Sequence, residues 1–61
     1  MRYAGIDIGS RTIELVVVDE AGRILGSLQA ETGFDPMARA REMTEELTYD
    51  YIMATGYGRN L

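Results

Sequence analysis

Three stretches in which apolar and polar positions alternate, one stretch of helical spacing and a further strand-like stretch make up the chain. Met1–Ile8 carries Tyr3, Ala4, Ile6 and Ile8, enough apolar surface for both faces, as expected of a central strand. Thr12–Asp19 is a strong second strand: Ile13, Leu15 and Val17 fall on one face, Glu14, Val16 and Val18 on the other. Its β-branched valines reinforce the strand reading. Asp19-Glu20-Ala21-Gly22 is a turn with Gly22 at the position that tolerates positive φ, and Arg23–Ala30 returns as an edge strand. These three form an antiparallel meander.

The period then changes. Asp35 reads as an N-cap and Pro36 as the first helical residue. Met37, Ala40, Met43 and Leu47 recur at helical spacing over about Pro36–Leu47, while Arg39, Arg41, Glu42, Glu45 and Glu46 face water. The methionine stripe is core filler in this reading. Tyr49–Thr55 is a fourth strand, reached by almost no loop. A strand–helix–strand passage favours a right-handed crossover to a parallel position. If the fourth strand lies beside the first, the sheet order is 3-2-1-4 in a β-β-β-α-β unit of the α/β class.

Between the first two strands lies Asp7-Ile8-Gly9-Ser10-Arg11-Thr12. Gly9 has the freedom for positive φ and for close approach of the backbone to a ligand. The neighbouring N–H groups, with the Ser10 and Thr12 hydroxyls, suit a phosphate. Asp7 suits Mg²⁺, which favours one or two carboxylates plus phosphate oxygens. The same six residues also describe an ordinary hairpin turn.

Composition narrows the chemistry. Neither cysteine nor histidine occurs among the 61 residues, so a disulfide or a Cys/His metal site is excluded and any metal must be oxygen-ligated. A net charge of −4 argues against a nucleic-acid partner, whose affinity comes largely from basic side chains. It leaves room for a nucleotide held by backbone N–H groups and a metal ion. No apolar run approaches the roughly 20 residues of a membrane span, and the N-terminus lacks a basic region followed by an apolar one. A cytoplasmic protein without a membrane partner is expected.

GIDIGS at Gly5–Ser10 and ATGYGRN at Ala54–Asn60, with TGFDPMARA at Thr32–Ala40 between them, resemble the N-terminal part of the BadF/BadG/BcrA/BcrD-type ATPases. More narrowly, the chain is similar to the activator component of 2-hydroxyacyl-CoA dehydratases and benzoyl-CoA reductases, a branch of the actin/Hsp70/sugar-kinase superfamily. The resemblance covers nearly the whole chain; ATGYGR at the right distance makes it specific. It implies a ribonuclease-H-like partial domain over residues 1–61, the incomplete N-terminal subdomain of an actin-like ATPase. ATP or ADP with Mg²⁺ is the implied cofactor. Asp7 would handle the metal, and Gly9, Ser10, Arg11 and Thr12 would line the phosphate site. Thr55, Gly56, Tyr57, Gly58 and Arg59 match the second signature and would shape the cleft at the end of the fourth strand.

In that family, ATP hydrolysis in a homodimer drives an electron from a bridging iron–sulfur cluster into a partner dehydratase or reductase. This chain departs in three ways. Glu14 stands where the family commonly has lysine, with Arg11 as the nearest replacement. Without cysteine, no iron–sulfur role falls on these residues. The superfamily also binds nucleotide between two lobes, and this chain supplies only the beginning of one, so activity in isolation is not expected. Two other functions compete. A single helix covers one sheet face only, so a non-catalytic module that forms a homo-oligomer through the other face is consistent with the pattern. A metal-dependent nuclease would need more acids converging on Asp7 than Glu14 supplies.

Overall fold

The computed structural model describes residues 1–56. Four strands and one helix follow one another as β1 (Arg2–Ile8), β2 (Thr12–Asp19), β3 (Ile24–Glu31), α1 (Pro36–Thr44) and β4 (Tyr51–Gly56). The sheet order is β3-β2-β1-β4, the expected 3-2-1-4. β1 pairs antiparallel with β2 and parallel with β4, and β2 pairs antiparallel with β3. β1 is central and β3 is an edge, as the alternation predicts.

Alternation puts Ala4, Ile6 and Ile8 of β1 and Ile13, Leu15 and Val17 of β2 on one face, where all six are buried together with Ala40 and Met43 of α1. Ile13 and Leu15 are fully covered. Burial of side chains of that size contributes about 1.5–3 kcal/mol each. Leu28, Ala30, Leu47 and Tyr49 pack around this cluster. The opposite face has no covering layer among the described residues. Tyr3, Val16, Val18, Tyr51 and Met53 lie there around Gly5, lining an open apolar depression of about 600 Å³. The rings of Tyr3 and Tyr51 stack at 5.7 Å across the β1–β4 pair.

Two boundaries differ from the sequence reading by more than one residue. The helix stops at Thr44 instead of Leu47. The N–H groups of Glu45 and Glu46 donate three residues back, to Glu42 and Met43, and the Thr44 hydroxyl donates to the Arg41 carbonyl, so the last turn tightens and closes. The fourth strand starts at Tyr51 instead of Tyr49, after a real connection. Asp50 sets that start. Its N–H donates to the Arg2 carbonyl and its carboxylate accepts from the Arg2 N–H at 2.8 Å, which aligns the chain beside β1. Met37 is exposed, so the buried contact of α1 begins only at Ala40.

The helix start agrees with the sequence. The Asp35 carboxylate accepts from the Ala38 N–H at 3.2 Å, and Pro36 opens the first turn. Gly22 holds φ +83, as its turn requires. At the far end of the β2–β3 hairpin the Met1 ammonium donates to Glu20 at 2.7 Å. That contact raises the amine's pKa and lowers that of Glu20, but both groups are exposed and the pair adds little to stability. Among the described residues no helix is long and apolar enough to cross a membrane.

Candidate functional site

β1 and β4 run parallel and finish together, with Ile8 beside Gly56 and Asp7 beside Thr55. In open α/β sheets that end, beyond the carboxyl termini of parallel strands, is where ligands bind. The turn from β1 into β2 stands at the same end. The register therefore joins the first motif to the start of the second. Gly56 belongs to β4, whereas Tyr57, Gly58 and Arg59 lie outside the described residues.

The turn is short and closed. The Gly9 N–H donates to the Thr12 carbonyl at 2.9 Å. The role expected of Gly9 needs correction: among the described residues only Gly22 and Gly33 have positive φ. Gly9 is required for space instead, because a Cβ there would sit 2.9 Å from the Thr12 carbonyl oxygen. Ser10, Arg11 and Thr12 are exposed. Among the described residues the Ser10 and Arg11 N–H groups have no protein acceptor. Two successive main-chain donors are thus turned to solvent, the arrangement that receives an anion.

Behind the turn sits Thr32, the one polar side chain buried among the described residues. Its hydroxyl donates to the Gly9 carbonyl at 2.9 Å and its N–H donates to the Arg11 carbonyl at 2.9 Å. The sequence reading gives Thr32 no role beyond its place in the Thr-Gly loop. The available signal is a hydroxyl residue at the end of β3, one position past the Thr12–Glu31 pair.

Asp7 is exposed and directly opposite Glu14 across the β1–β2 pair, with Thr55 on its other side. Like charges placed opposite one another destabilise a sheet. Neither carboxylate has an ion-pair or hydrogen-bond partner among the described residues. Among the described residues no group of three or more acids is placed to hold a metal ion. The donor set fits a cation such as Mg²⁺, which needs one or two carboxylates with phosphate oxygens and water completing the shell. A site built from protein carboxylates alone, which two-metal nuclease chemistry requires, is not present among those residues.

No family model matches the chain. It is 31% identical over 51 residues to a glucokinase of Pyrobaculum calidifontis, a match covering 84% of this chain and 17% of that protein. Two solved structures share its fold. One, from Sinorhizobium meliloti and assigned as a 2-dehydro-3-deoxygalactonokinase, superposes with a TM-score of 0.67 over 92% of this chain and 21% of that one, at 19% identity. The other, the PPX-GPPA enzyme of Aquifex aeolicus, superposes with a TM-score of 0.61 over 92% of this chain and 26% of that one, also at 19% identity. The chain therefore spans about a quarter or less of the length of each. The shared architecture is a partial ribonuclease-H-like fold of the actin-like ATPase type, the fold expected from the sequence.

The two central glycines make opposite predictions. Gly9→Ala places a Cβ against backbone and is expected to lower stability by roughly 1–3 kcal/mol, as overpacking does. Gly5→Ala meets nothing within 4 Å and should leave stability unchanged or slightly raised, since glycine weakens a strand interior. Urea midpoints of the two variants check this.

Proposed function

We propose that this chain is the phosphate-gripping segment of an ATP-using protein of the actin-like, sugar-kinase type, and that by itself it binds nucleotide without hydrolysing it efficiently. The observation that carries the reading is the pair of Ser10 and Arg11 N–H groups on a closed turn, near the Asp7 carboxylate, all without a protein partner among the described residues. In this reading Gly9 provides the space, Ser10 and Arg11 donate main-chain hydrogen bonds to phosphate oxygens, and the Ser10 and Thr12 hydroxyls add to them. The Arg11 guanidinium screens phosphate charge, and Asp7, with Glu14 opposite, holds Mg²⁺ through water. Mg²⁺, when bound, neutralises phosphate charge. Gly56 borders the cleft at the end of β4, and the resemblance of the second signature assigns Tyr57 and Gly58 to the same ligand. Phosphoryl transfer depends on positioning and charge stabilisation, so a segment with one phosphate loop lacks most of what catalysis requires.

The kinase named among the relatives and the kinase-type solved structure support an ATP-using protein. TGFDPMARA at Thr32–Ala40 and ATGYGRN at Ala54–Asn60 support a finer assignment, the activator branch that serves CoA-substrate dehydratases and reductases. In that assignment the chain is the N-terminal subdomain, its physiological partners are the rest of an ATPase and a dehydratase or reductase component, and its setting is the cytoplasm. Calorimetric titration with Mg·ATP and Mg·ADP tests the site. Saturable, Mg²⁺-dependent binding is expected, and Asp7→Asn should abolish the Mg²⁺-dependent part while circular dichroism stays unchanged. Unchanged binding in the variant, or no heat from the folded wild-type chain, would overturn the assignment.

A second reading rests on the uncovered sheet face, where Met53 is 71% and Ile24 69% exposed and Tyr51 stacks on Tyr3 in the open. In that reading the chain is a non-catalytic module that buries this face in a homo-oligomer. Sedimentation should then show a dimer or larger at micromolar concentration, reduced to monomer by Val16→Glu. A monomeric wild-type chain would contradict it.

A further inference from the structure

We propose that Thr32 is the positioning residue of the β1–β2 turn, aiming its main-chain donors at the ligand. The proposal rests on the reading of that turn as a phosphate site, and it concerns a residue that touches no ligand itself. Thr32 holds two carbonyls of the turn at once: the Gly9 carbonyl through its hydroxyl and the Arg11 carbonyl through its N–H, each at 2.9 Å.

Peptide geometry gives those two bonds a consequence. The Gly9 carbonyl and the Ser10 N–H belong to one planar trans unit and point in opposite directions. The same holds for the Arg11 carbonyl and the Thr12 N–H. With both carbonyls drawn onto Thr32, the Ser10 and Thr12 N–H groups are turned away from it, and the Arg11 N–H belongs to the Ser10–Arg11 peptide unit held between these two fixed ones. The Gly9 N–H, bonded to the Thr12 carbonyl, pins the turn at a third point. The hydroxyl lies 23 residues along the chain from the carbonyl it binds, so the clamp fastens the end of β3 to the end of β1.

Burial makes the clamp effective. Thr32 is 3% exposed, so water competes little for its hydroxyl. If that donor is removed, the Gly9 carbonyl loses its protein partner and the Gly9–Ser10 peptide becomes free to rotate. Preorganised donors bind an anion without first being ordered, and a loosened turn loses that advantage. A merely structural threonine would affect the stability of the sheet as a whole. A positioning threonine affects the turn first.

The test compares Thr32→Val, which keeps the shape and removes the hydroxyl, with Thr32→Ser, which keeps the hydroxyl. Amide hydrogen exchange on the ligand-free chain is the primary readout. In Thr32→Val, exchange at the two hydrogen-bonded amides of the turn, Gly9 and Thr32, should accelerate roughly tenfold or more relative to the Ile13–Val17 ladder, as loss of one buried hydrogen bond implies. Thr32→Ser should stay within about threefold of wild type. Affinity for Mg·ADP should follow the same order. Native exchange in the turn of folded Thr32→Val would overturn the proposal, as would fast exchange spread evenly over the sheet. If Thr32→Val does not fold, fast turn exchange in Thr32→Ser would overturn it and native exchange would support it. If the wild-type chain binds no Mg·ADP, the phosphate reading fails, while the exchange result still decides whether Thr32 sets the turn.

Discussion

One helix against four strands is the constraint on which the rest of the structure depends. Strand alternation sorts each sheet residue to one of two faces, and α1 is long enough to cover part of one. Ile13 and Leu15, on the second strand of the sheet, therefore carry the centre of the core, with Ala40 and Met43 pressed onto them. The other face, uncovered among the described residues, leaves Tyr3, Tyr51 and Met53 exposed and Val16 and Val18 half-buried. An apolar face that is uncovered among the described residues marks where a covering layer would add most stability.

The same one-sided packing separates scaffold from chemistry. Side chains that point towards α1 hold the sheet together, whereas Asp7, Glu14 and Thr55 share the other side of the strand ends. The apolar depression is displaced towards the start of β1, away from the turn, and its lining offers few groups that would orient a polar ligand. The turn offers the reverse, with main-chain donors and two carboxylates close in register that have no partner among the described residues. Chemistry therefore points to the turn, even though the larger hollow lies elsewhere.

How much of this was legible depends on the range of the interactions involved. The second strand and the Asp35-Pro36 helix start are local signals, and the strand order follows from the meander and the strand–helix–strand crossover that they define. The candidates Asp7 and Gly9–Thr12 are contiguous and come from the same kind of local pattern, and the fold sets them together at one end of the sheet. The helix end was not legible, because Thr44 and the two glutamates after it close the last turn early. Nor was the start of the fourth strand, which Asp50 fixes by bonding to Arg2 across 48 residues. Gly9 was identified for the wrong property: contact with Thr12 selects it, not a left-handed backbone. Thr32 remained hidden because its partners are brought to it only by the folded sheet.

The most direct measurement is a two-dimensional amide spectrum of the chain titrated with ADP, with and without Mg²⁺. If the turn is the phosphate site, the largest shifts fall on Ser10, Arg11 and Thr12 and require Mg²⁺, while the amides of β3 stay in place. Shifts centred on Tyr3, Val16 and Tyr51, or none at all in a well-dispersed spectrum, would contradict the assignment of the turn as a nucleotide-phosphate site.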